Sequence, residues 1–145
     1  MDRQARMNKK VLERAREIVS EPGRWIKGFE ALDLSGTACD ARSRDACCWC
    51  AWGAIKRAAR EVMTDQPELT WRSEFRKHPV VALAANAAAE MLEAAHPGFQ
   101  ELWPRYKNKI TGFNDRKETT LAEVLEMFDA AITRADRELA IKEGR

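Results

Sequence analysis

The chain has 145 residues, 45% of them hydrophobic and 33% charged, with a formal net charge of +2. That length and balance fit one soluble domain able to bury a real core. So small a net charge argues against both the basic footprint of a nucleic-acid-binding protein and the acidic surface of a DNA mimic.

No apolar run follows the polar residues 1–10, so neither a secretory leader nor a membrane span is expected. Four cysteines without such a leader suit a reducing cytoplasm better than a disulfide scaffold. Alanine is abundant and β-branched runs are rare, which predicts an all-α fold. The expected architecture is a single domain over residues 1–145, a bundle of about five helices around a Cys/Trp-rich central helix.

Residues 1–10 read as a frayed start that runs into a first helix. Val11, Leu12, Ala15, Ile18 and Val19 form its apolar face, and Glu21-Pro22-Gly23 ends it. Trp25, Phe29 and Leu32 have helical spacing, but Gly28 and the short length reduce this piece to a turn or a single helical turn plugging the core. Residues 33–44 form a polar loop with a turn at Ser35-Gly36.

Residues 45–64 read as the central helix. Cys47, Cys48, Ala51, Ile55, Ala58, Ala59 and Val62 fall on one apolar face. Gly53, Lys56, Arg57, Arg60 and Thr64 fall opposite, and Ser43 or Asp45 caps the start. Trp49 lies on the polar side and needs a covering segment. Gly53 removes bulk beside it so that the segment can approach. A glycine inside a helix costs about 1 kcal/mol relative to alanine, so a packing reason is expected.

Asp65-Gln66-Pro67 breaks the chain, and residues 68–77 form a short helix anchored by Leu69, Trp71 and Phe75. The next helix begins at His78-Pro79, with proline at a favourable first position. Its inner face is Val80, Leu83, Ala84, Ala87, Ala88, Met91 and Leu92, and it ends at Ala95-His96-Pro97-Gly98. Phe99, Leu102, Trp103 and Tyr106 are packing residues, and residues 110–117 form an ordered loop. Thr120 and Glu123 make a capping box for the last helix. Leu121, Val124, Leu125, Phe128, Ile132, Ala135 and Leu139 repeat along that helix at helical spacing.

The cysteines admit several chemistries. Cys47 and Cys50 have redox spacing, but no strand feeds the helix as a thioredoxin-like site needs. Cys39, Cys47 and Cys50, with His78 or His96, supply enough ligands for zinc but in no paired zinc pattern. The preferred reading is small, buried, reduced core residues. The two histidines stand at helix boundaries as surface or capping groups. Trp49 with Lys56, Arg57 and Arg60 meets the requirements of an RNA patch only loosely, and a solvated helix face is preferred.

Four pieces occur in order: Trp25-x-x-Gly28; Asp45-Ala46 leading to Trp49-Cys50-Ala51-x-Gly53-Ala54-Ile55; Phe113-Asn114-Asp115; and Thr120-x-x-Glu123-Val124-Leu125. Together they resemble a family of short bacterial and bacteriophage proteins known only as a domain of unknown function, over roughly residues 11–135. Phe113 stands where the family pattern has tryptophan, and Cys50 matches the family's usual single cysteine. The resemblance implies a phage or prophage context, brings no established activity, and points to Trp25, Cys50, Gly53, Asn114, Asp115 and Thr120.

Two arrangements of these residues are open. In one, Trp25, Trp49, Cys50, Gly53, Asn114 and Asp115 form a structural latch, with the 114–115 pair holding a tight turn. In the other, Cys50 and Asp115 form the centre of a hydrolase or transferase. Cysteine catalysis normally uses a nearby histidine base, and none is tied to these motifs, so the latch is preferred. The leading expectation is a non-enzymatic, phage-derived binding protein that modulates a host protein, inhibition of a host defence system being one specific form. Trp71, Phe75, Trp103 and Tyr106 are the candidate contact residues. No cofactor, nucleic acid or membrane partner is expected. The sequence sets neither the partner nor the oligomeric state.

Overall fold

The structure, a computed structural model, describes residues 3–98 and 109–144. Helix α1, Arg3–Ser20, turns Ala5, Asn8, Val11, Leu12, Ala15, Ile18 and Val19 inward. Strands β1, Ala31–Asp33, and β2, Ala46–Trp49, follow, and then α2, Ala51–Val62. Two 3-10 turns, Leu69–Trp71 and Ser73–Lys77, lead into α3, Pro79–Ala95. The chain closes with α4, Lys109–Asp115, and α5, Leu121–Lys142. The result is a mainly helical bundle with one small strand pair.

Helix α1 is the shared wall: it packs against α2, α3 and α5, and α3 packs against α5 and α4. Fully buried Val11, Leu12, Ile55, Leu92, Val124, Met127 and Phe128 fill the interior. Buried Ala54, Ala58, Ala84, Ala87, Ala88 and Ala131 let the helices approach closely. Ion pairs Arg6–Glu143 at 2.6 Å, Lys9–Asp136 at 2.8 Å and Arg16–Asp129 at 2.7 Å show that α1 and α5 run antiparallel. At such exposed positions each pair adds at most about 1 kcal/mol, so burial rather than charge supplies the stability.

Several sequence expectations are corrected. Of the expected frayed start, residues 3–10 are helical, because Ala5 and Asn8 are buried and Arg3 pairs with Asp65. Residues 45–64 are not one helix. Residues 46–49 are a strand, Cys50 is the N-cap, and only Ala51–Val62 is helical. A short apolar run fits a strand as well as a helical turn, and here its backbone has partners on both sides. On one side β1 pairs antiparallel with it, Ala31 opposite Trp49 and Leu32 opposite Cys48, with a bulge between Leu32 and Asp33. On the other side the Trp49 N–H donates to the Arg24 carbonyl at 2.8 Å, and the Ile26 N–H donates to the Trp49 carbonyl at 3.1 Å. Residues 24–26 and 31–32 are therefore extended, with a bend over residues 27–30, rather than a helical turn, and Cys47 and Cys48 are half-buried strand residues.

Residues 68–77 form the two 3-10 turns instead of one helix. Residues 109–115 are helical, where a loop was expected. Seven residues are too few for a helix to persist alone, and α4 forms because Ile110, Gly112, Phe113 and Asn114 are buried. Trp103, Tyr106, Phe99 and Leu102 lie outside the described residues. Helix α3 and the capping box of Thr120 and Glu123 on α5 are as the sequence predicts.

Gly53 has the packing reason its helical position demands. A Cβ there would stand 2.0 Å from the backbone oxygen of Glu30. Gly53→Ala is expected to destabilise the protein by about 3 kcal/mol, from overpacking against backbone that cannot yield. In an unobstructed helix the same change stabilises, so the sign of the shift in urea denaturation tests the contact. An increase in stability would overturn it.

Candidate functional site

Asn114, at the C-terminal end of α4, is 0% exposed. Its amide is bonded through both atoms. Oδ1 accepts the Trp25 indole N–H at 2.6 Å and the Ala51 backbone N–H at 3.0 Å. Nδ2 donates to the Ile26 carbonyl at 3.0 Å and to Asp115 Oδ1 at 2.9 Å. An amide offers two donors and two acceptor lone pairs, so its full capacity is used. Asp115 Oδ1 also accepts the Gly28 N–H at 3.0 Å, and Gly28 adopts φ +86°, which suits glycine. The Lys27 ammonium donates to the Arg116 carbonyl at 2.7 Å and stands 5.5 Å from the centre of the Trp25 ring. Residues 114–116 thus clasp residues 25–28 and the first turn of α2.

Cys50 sits beside this clasp and is 2% exposed. Its Sγ accepts the Gly53 N–H at 3.3 Å, the N-capping bond of α2. Burial pushes the thiol up to about 11, outweighing the opposing pull of that hydrogen bond, and the nearby Asp115 charge adds to the rise. The backbone N–H of Cys50 donates to the Glu30 carbonyl at 3.2 Å. The Glu30 carboxylate in turn accepts the Lys56 ammonium at 2.7 Å and the Ala41 N–H at 3.0 Å. Cys50 and Asp115 both line a cavity of about 160 Å³, together with Glu30, Trp52 and Thr111, and Phe29 stands 52% exposed beside it. Burial thus holds Cys50 as the neutral thiol at pH 7, against the thiolate that nucleophilic chemistry needs.

Trp49 is covered, as its position required. Its indole N–H donates to the Ala41 carbonyl at 2.9 Å, and the Arg57 guanidinium lies 5.5 Å from the ring centre. It joins the clasp through a bridge to Trp25. Trp25, Cys50, Gly53, Asn114 and Asp115 are therefore brought together. Thr120 is apart from them and caps α5.

The zinc set is not assembled. Among the described residues no group of three His, Cys, Asp or Glu side chains stands close enough to hold a metal. Cys50 caps a helix, and Cys47 faces Cys48 with the sulfurs 3.4 Å apart. Of the candidate contact residues, Trp71 is 65% exposed. Phe75 is 1% exposed, packed against Trp52 and His78 with ring centres 5.7 Å away in each case, so it serves the core and cannot meet a partner. Trp103 and Tyr106 fall outside the described residues. His78 caps α3 by accepting the Val80 N–H at 3.1 Å.

Glu30 and Lys27 were not legible as site residues. Their bonding partners stand many positions away along the chain, and no local spacing marks them.

A family described as "Family of unknown function (DUF6197)" has a model that matches residues 6–134. No curated protein and no solved structure matches the chain.

Asn114→Ala would strand the Trp25 indole, the Ala51 N–H and the Ile26 carbonyl, each costing about 1–3 kcal/mol where buried. A loss of about 4 kcal/mol in chemical denaturation is expected, and a loss below about 1 kcal/mol would show that the clasp is not structural. Cys50→Ser should retain the cap and change the alkaline limb of stability. Because the folded thiol titrates near 11 against an ordinary 9.0, its contribution is intact below pH 9 and is lost as pH rises towards 11. Between those values the wild type should lose about 2 kcal/mol that the serine variant keeps. Parallel pH profiles would refute this.

Proposed function

We propose, from the premise that this chain belongs to the DUF6197 family of unknown function, that it is a small non-enzymatic binding protein that modulates a host protein. In this reading it is a bacteriophage or prophage product acting in the bacterial cytoplasm, inhibition of a host defence system being one specific form of the modulation. The observation that carries the reading is the state of Cys50. The one motif residue with nucleophilic chemistry is buried, protonated at neutral pH and occupied as a helix cap. The other motif residues are engaged in holding the chain together. What the surface offers is contact area: Trp71, Leu34 and Ile141 are exposed large apolar residues. Among the described residues no helix is long and apolar enough to cross a membrane.

A second reading keeps Cys50 and Asp115 as the centre of a hydrolase or transferase, favoured by their shared cavity. It requires a thiolate that burial opposes, and no histidine lines that cavity to act as base.

Alkylation of the native protein with iodoacetamide at pH 7, mapped by mass spectrometry, separates the two. Cys50 is expected to stay unlabelled until the protein unfolds; rapid labelling of Cys50 alone would favour the enzyme. Affinity capture from bacterial lysate, run with the wild type and with Trp71→Ala, should retain a protein that the variant loses. A wild type that captures nothing counts against the binding reading.

A further inference from the structure

The arginines around α2 take no part in the clasp. Arg42, Arg44, Arg57 and Arg60 line a shallow groove of about 350 Å³. Across Arg57 and Glu61 the groove continues into a hollow of about 190 Å³ that adds Arg14 and Arg24. The carboxylates lining this strip are Glu21 and Glu61.

Backbone carbonyls hold several of these side chains in place. Arg57 Nη1 donates to the Ser43 carbonyl at 2.6 Å, Arg60 Nη1 to the Arg42 carbonyl at 3.0 Å and Arg24 Nη1 to the Cys47 carbonyl at 3.0 Å. A carbonyl fixes a guanidinium without cancelling its charge. Some of the charge is answered: Glu61 accepts from Arg14 at 2.7 Å and from Arg57 at 3.2 Å, and Asp40 pairs with Arg42. Among the described residues Arg44 and Arg60, both exposed, have no carboxylate partner. Arg24 and Arg14 also stand 3.8 Å from Glu21 and 3.2 Å from Glu17. The positive charge in excess is therefore that of Arg44 and Arg60, and of these two the Arg60 fork is held by a backbone carbonyl. Beside the groove the Arg42 guanidinium lies 5.0 Å from the centre of the exposed Trp71 ring.

We propose that this arginine strip binds an acidic peptide segment of a partner protein, with Trp71 taking an apolar side chain beside it. The inference rests on the binding-protein reading above and names the chemistry of the partner. Guanidinium forks match carboxylates in bidentate pairs, and tryptophan and arginine dominate the energetics of protein contacts. The placement of Glu61 decides between a peptide and a nucleic acid strand. Glu61 lines both hollows, midway along the strip, where a continuous run of phosphates would meet its charge. A peptide with spaced carboxylates can set a neutral residue there.

The test is fluorescence anisotropy at low ionic strength with the full chain. The probe is a fluorescein-labelled peptide of glutamates interrupted by leucines, compared with labelled single-stranded oligothymidylate of equal length. The peptide should bind more tightly than the oligonucleotide. Arg44→Gln with Arg60→Gln should weaken it by roughly tenfold or more, the scale of lost charge-assisted bonds. Arg44→Glu should act in the same direction without disturbing a bond of the fold, and unfolding curves should stay at the wild-type position. Three results would each overturn the proposal: no peptide binding by the wild type, equal binding by the arginine variants, or tighter binding of oligothymidylate. A lysate partner still captured by the double glutamine variant would overturn the strip and leave the binding reading standing. A wild type that binds the peptide but captures nothing would do the reverse.

Discussion

The carboxamide of Asn114 is the constraint from which the rest of the clasp follows. It is fully buried and bonds at once to the side chain of Trp25, the backbone of Ile26, the first residue of α2 and its neighbour Asp115. A buried polar group is favourable only when its capacity is met, and then it selects one arrangement over its neighbours. Here the selected arrangement lays an extended segment beside β2, so that β2 has backbone partners on both sides. The Glu30 backbone then crosses closely over Gly53. Removing the amide would strip the Trp25 indole, the Ala51 N–H and the Ile26 carbonyl of this shared partner.

The same arrangement decides the chemistry of Cys50. A cysteine at the start of a helix is often a reactive thiol, since the dipole and exposed amides stabilise the thiolate. In this chain an amide of the first turn does bond the sulfur, yet burial beneath residues 28–30 dominates and the proton stays. A position that elsewhere holds a reactive thiol is here a buried helix cap, which is why the binding surface proposed above is sought among the arginines and Trp71.

The long helices were legible because their signals are local: the Thr120 and Glu123 box, the proline after His78, and the repeats of Val11 to Val19 and of Leu121 to Leu139. The motif residues Trp25, Cys50, Gly53, Asn114 and Asp115 were also visible as a group, through the family resemblance. What escaped was everything fixed by distant pairing. Residues 46–49 look like a helical turn until β1 and Trp25 are placed beside them. Residues 109–115 contain glycine and threonine, poor helix formers, and become helical because tertiary burial overrides propensity. Phe75 was read as a contact residue because nothing nearby in sequence announces that the distant Trp52 packs against it.

The clasp also bears on the order in which the protein can be made. Its bonds join residues 63 to 89 positions apart, and the ion pairs of α1 with α5 reach 137 positions. A chain emerging from the ribosome exposes its amino end first. The strand pair and the first turn of α2 are therefore synthesised with the Ala51 amide and the Ile26 carbonyl still awaiting Asn114, and the inner face of α1 awaits α5. Contacts of this span slow folding and make it concerted. The domain is expected to close in a late step, once α4 and α5 have emerged, and a chain arrested before α4 should be unfinished at its centre, not merely shortened at its end.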